Sequence, residues 1–131
     1  MAIVVGYVPR PEGRAALRRA VEEAQLRGSR LVVVNALPHG VEEAEEVYDD
    51  PYLDRVRGEL VEAGIEYEVH QLVRGVEPAE DVVRIAEETR AEFIVIGLRR
   101  RSAVGKLIMG SVAQRILLDA DCPVLAVKAD P

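Results

Sequence analysis

Short β-branched runs alternate along this chain with longer stretches in which apolar residues recur every three or four positions. Ile3-Val4-Val5-Gly6-Tyr7 is the first such run and predicts a strand. From Arg14 to Arg27, Ala16, Leu17, Ala20, Val21 and Ala24 fall on one helical face, and Gly28 follows the basic end as a stop signal. Leu31-Val32-Val33-Val34 is apolar without interruption, as expected of a strand covered on both faces. A second helix is predicted from about Pro51 to Ala63, with Leu53, Val56, Leu60 and Val61 inward and Gly64 ending it. Tyr67 to Val73 alternates polar with apolar residues and contains Glu68 and His70, the pattern of a half-exposed edge strand. Pro78 opens a third helix with Ala79, Val82, Val83, Ile85 and Ala86 inward. Phe93-Ile94-Val95-Ile96 and Pro123-Val124-Leu125-Ala126-Val127 are the last two strands, separated by a helix from Ser111 to about Leu118.

Strands and helices in strict alternation imply right-handed crossovers and an α/β fold. The expected architecture is a single domain over residues 1–131, an open parallel five-stranded sheet in the order 3-2-1-4-5 with helices on both faces. The order reverses beside the first strand, and ligands of such sheets bind there, at the carboxyl ends of the strands.

Composition narrows the function classes. With 49% hydrophobic and 31% charged residues the chain is not a disordered polar one. Its 17 basic and 23 acidic residues leave a net charge of −6, which disfavours nucleic acid as a partner. No apolar run approaches the ~20 residues of a membrane span, and the start Met1-Ala2-Ile3-Val4-Val5-Gly6 lacks the features of a signal peptide. The lone Cys122 allows no intrachain disulfide, so a soluble protein of the reducing cytoplasm is expected. Cys122 itself reads as a small buried hydrophobe, and His70 as a surface residue.

Several chemistries are missing. His39, His70 and Cys122 lack metal-ligand spacing, so no metal is expected, and no G-x-S-x-G elbow occurs. Gly105-Lys106 is followed by Leu107, which excludes a Walker loop. A receiver domain would need carboxylates after the first and third strands, where this chain has Gly6-Tyr7-Val8 and Leu72-Val73-Arg74-Gly75.

The informative segment is Gly97 to Ser111. It leaves a central strand at its carboxyl end and carries Arg99, Arg100, Arg101 and Lys106 among Gly97, Gly105 and Gly110. Ser111 with Gln114 three residues on is a capping-box pattern, which would start a helix with its free N–H groups facing the loop. Such a helix start attracts anions. A plain helix cap and a solvated arginine run remain open as the simpler reading. The acidic run Glu42, Glu43, Glu45, Glu46, Asp49 and Asp50 reads as a solvated segment, or as a lid pairing with Arg99-Arg100-Arg101.

The spacing from Gly97 to Gly110-Ser111 resembles the universal stress protein signature G-x2-G-x9-G-[S/T], and the ending Leu117 to Val127 is similar to that family's ending. The resemblance covers nearly the whole chain. It implies an adenine nucleotide alpha hydrolase-like fold, usually a dimer, and a stress-response or regulatory module of which some members bind ATP and others do not. Carried onto this chain, Gly97, Arg99, Arg100, Lys106, Gly110 and Ser111 would hold ATP, another adenine nucleotide or another phosphate-bearing ligand. Two positions depart from the pattern. Arg100 replaces the second glycine, and Val8 or Pro9 stands where nucleotide-binding members carry an acid. The weakly charged last strand Val124, Leu125, Ala126 and Val127 is expected at a homodimer interface. A dimeric interaction protein that binds no nucleotide, and a slow ATP hydrolase, are the other readings.

Overall fold

The computed structural model describes residues 1–36, 50–71, 76–100 and 107–129. Most of the acidic run, Glu42 to Asp49, lies outside the described residues, as do Arg101, Gly105 and Lys106. The elements are β1 (Ala2–Tyr7), α1 (Pro11–Arg27), β2 (Arg30–Asn35), α2 (Pro51–Glu62), β3 (Tyr67–His70), α3 (Pro78–Glu88), β4 (Ala91–Arg100), β5 (Leu107–Ile108), α4 (Ser111–Asp119) and β6 (Val124–Lys128). The five parallel strands stand in the order β3-β2-β1-β4-β6, the predicted 3-2-1-4-5 topology.

Alternate residues of the central strands feed two cores. On one face Ile3, Val5, Tyr7, Leu31, Val33 and Val95 meet Ala16, Leu17 and Ala20 of α1 and Leu53, Val56 and Leu60 of α2. On the other, Val4, Val32, Val34, Ile94 and Ile96 meet Ala79, Val82, Ile85 and Ala86 of α3 and Ile116 of α4. This two-sided burial is why these runs carry no polar alternation. β3 is an edge strand as expected: Glu68 bonds Arg30 at 2.9 Å and His70 at 3.0 Å on its exposed side.

Four expectations change. α1 begins at Pro11, three residues before Arg14, with proline in its first turn followed by Glu12. Val61 is 68% exposed rather than inward, because Leu53, Val56 and Leu60 already define the buried face and the next residue is turned about 100° away. The capping box does not form: Gly110 is the N-cap of α4, Ser111 is the first helical residue, and no side chain caps this end. The segment read as a loop from Gly97 is strand as far as Arg100, and β5 pairs antiparallel with it, Arg99 opposite Ile108 and Arg100 opposite Leu107.

Asp50 also departs from its reading as part of a solvated acidic run, for it is buried. It is the N-cap of α2, accepting hydrogen bonds from the backbone N–H groups of Tyr52 at 3.0 Å and Leu53 at 3.4 Å. The Tyr7 hydroxyl donates to the same carboxylate. Burial, and then the Asp50 contact, push the Tyr7 hydroxyl far above the ordinary tyrosine range. Cys122 is partly buried, and burial pushes its thiol up, which suits an unreactive small side chain. Among the described residues no helix is long and apolar enough to cross a membrane.

Candidate functional site

The carboxyl ends of β1 and β4 border a cleft of about 190 Å³ at the point where the strand order reverses. Its floor is apolar, made by Gly6, Ala36, Ile96 and Ile116. One wall is the start of α1, with Arg10, Glu12 and Gly13, and another is the start of α4, with Gly110, Ser111, Val112 and Ala113. Val8 and Arg99 complete the lining.

Two glycines make these walls approach. A Cβ on Gly13 would lie 1.8 Å from the Val8 carbonyl oxygen, and one on Gly97 would lie 2.0 Å from the Glu12 carbonyl oxygen. No real carbon tolerates either distance, so α1 rests with its first-turn backbone directly on β4. Gly97 belongs to the strand and not to the loop that follows it. It lets α1 close against the sheet, which sets where Glu12 stands. Gly110 has open space around its Cα, so nothing steric demands glycine there.

The polar groups are unevenly spread. α4 leaves the backbone N–H groups of Ser111, Val112 and Ala113 without intrahelical acceptors, while that of Gln114 already donates to the Gly110 carbonyl at 2.9 Å. Ser111 is exposed at this end. Arg99 is exposed and makes no ion pair among the described residues. Positive helix end and guanidinium thus border one cleft, an arrangement chemically suited to an anion. Glu12 is nearly buried on the α1 wall. Among the described residues no group of His, Cys, Asp and Glu could hold a metal ion.

Of the residues singled out in the sequence, Gly97, Arg99, Gly110 and Ser111 line this cleft together. Arg100 is placed only by its backbone pairing with Leu107, and Lys106 lies outside the described residues. Val8 does border the cleft, so an apolar side chain occupies the place of the expected acid. The sequence reading missed Arg10, Glu12 and Gly13. Pro11 followed by an acid is the first-turn signature that would have placed them at a helix start.

A doubly wound parallel sheet with a cleft at its switch point beside a helix start fits the adenine nucleotide alpha hydrolase-like fold that the resemblance implied. The family model described as the universal stress protein family matches residues 1–128. A universal stress protein of Mycolicibacterium smegmatis is 42% identical over 132 residues, covering 96% of each chain. The solved structure of a universal stress protein from Archaeoglobus fulgidus superposes with a TM-score of 0.75 at 40% identity over 97% of each chain. A second structure of the universal stress protein from that organism, in complex with dAMP, gives 0.70 at 35% identity, covering 97% of this chain and 96% of the other. The chain belongs to the universal stress protein family.

Proposed function

We propose that this chain is a regulatory module that holds an adenine nucleotide or a similar phosphate-bearing ligand in the β1–β4 cleft. The observation that carries the reading is the convergence of the α4 start, Ser111 and the exposed Arg99 on one apolar-floored cleft. The relative from Archaeoglobus fulgidus solved with dAMP supports it. Ser111 and the first N–H groups of α4 receive the phosphates, and Arg99 supplies the charge. The Val8 side chain offers no hydrogen bond to a base, so affinity depends on phosphate number more than on base identity.

Calorimetry tests this. Arg99→Ala with Ser111→Ala is expected to weaken ATP and GTP alike, by about tenfold or more, and added salt should weaken wild-type binding. Val8→Asp should strengthen ATP alone. Tight, salt-insensitive, adenine-selective binding by the wild type would overturn the phosphate-led reading.

The same module acts as a homodimer through β6. The hydrogen bonds from Ile94 N–H to the Pro123 carbonyl and from Ala129 N–H to the Leu98 carbonyl set the phase of the β4–β6 ladder. In that phase residues 125 and 127 bond β4, while the N–H and C=O of Val124, Ala126 and Lys128 point to the outer edge. Ala126→Pro therefore removes an outward donor and leaves the inner ladder whole. Wild-type chain should sediment as a dimer at micromolar concentration and the variant as a folded monomer; a monomeric wild type would refute the interface.

A further inference from the structure

An anionic ligand accounts for Arg99, Ser111 and the start of α4, but not for Glu12. That side chain is only 9% exposed, lines the cleft and has its Cβ against Gly97, yet no hydrogen bond or ion pair reaches its carboxylate among the described residues. An acid in the first turn of a helix gains from the dipole whether or not it is buried. Its oxygens are not sealed in the core, so the carboxylate stands in the cleft as an acceptor without a donor from the described residues. A ligand that fills the cleft displaces solvent from this acid, and must bring a donor of its own or leave the acid unpaired.

We propose that Glu12 accepts hydrogen bonds from the sugar hydroxyls of a ribonucleotide, an inference that rests on the nucleotide reading above. Its negative charge repels phosphate, so the phosphates lie toward α4 and Arg99 and the opposite part of the ligand meets Glu12. The donors that all ribonucleotides share are the sugar hydroxyls, whereas amino donors vary with the base. The Val8 side chain brings no polar group to this wall. Glu12 thus selects the sugar in a site that selects the base weakly.

The test compares ATP with 2′,3′-dideoxy-ATP by calorimetry on the full chain. Wild type should prefer ATP by about tenfold, and this ratio should survive added salt while both affinities fall. Glu12→Met has no acceptor and should bring the ratio to within about twofold without weakening dideoxy-ATP, whereas Glu12→Gln keeps an acceptor oxygen and should retain part of the preference. An unchanged ratio in Glu12→Met, with ATP still bound, would overturn the role of Glu12 and leave the nucleotide reading standing. Failure of the wild type to bind either compound at millimolar concentration would remove the nucleotide reading, and this inference with it.

Discussion

Asp50→Ala should lower the stability of the chain by about 2–4 kcal/mol in urea unfolding. The carboxylate it removes caps α2 and also accepts from the buried Tyr7 hydroxyl. Loss of a cap costs about 0.5–2 kcal/mol, and a buried hydroxyl left without a partner adds about 1–3 kcal/mol. An unfolding midpoint equal to that of the wild type would show that neither contact matters. Tyr7→Phe is the companion variant, with a distinct pH signature. The hydroxyl proton of Tyr7 is held far more tightly in the folded chain than at the ordinary tyrosine value of about 10. Its contribution to stability is therefore complete below pH ~10 and falls as the pH rises, by about 1.4 kcal/mol per unit once the unfolded chain ionises. The alkaline limb should be shallower by that amount in Tyr7→Phe.

Gly97→Val is the second large effect, expected at about 3 kcal/mol or more. Even the first added carbon would lie 2.0 Å from the Glu12 carbonyl oxygen, a backbone atom with no freedom to turn aside. Relief requires α1 to lift from β4, which spreads the cleft walls and should abolish ligand binding as well. Gly110→Ala is the contrast, because its Cβ meets nothing within 4 Å. Only the poorer cap remains there, about 1 kcal/mol or less. Equal stability of the two variants, measured by urea midpoint, would contradict the close approach of α1 to β4.

The order of the sheet was legible because its signals are local. The uninterrupted runs at Leu31–Val34 and Phe93–Ile96 mark central strands, and Glu68 with His70 marks an edge. The cleft was legible in part. Gly97, Gly110 and Ser111 stand out by spacing, and the structure brings them together, with Gly97 serving the close packing of α1 on β4. Glu12 and Asp50 were illegible as buried groups because their burial comes from distant partners: Gly97 for the first, Tyr7 for the second. Each precedes or follows a proline at a helix start, and that local sign marks the helix but not the burial of the acid. The two-residue β5 is too short to leave any periodicity, and only its pairing with Arg99 and Arg100 defines it.

The two margins of the sheet are chemically unlike, and this governs which assemblies are open to the chain. β3 carries the exposed side chains of Glu68 and His70, Glu68 being tied to Arg30 of β2 and to His70. β6 presents the outward backbone of Val124 and Ala126 with little charge before Lys128. A head-to-tail array needs each copy to set the β6 margin of one against the β3 margin of the next, burying charged side chains against an apolar strand at every joint. A two-fold pairing of β6 with β6 buries none of them and uses up the adhesive margin in a single step. In the proposed dimer β3 is left as the outer margin of each copy, and the charges of Glu68 and His70 there oppose the addition of a further strand.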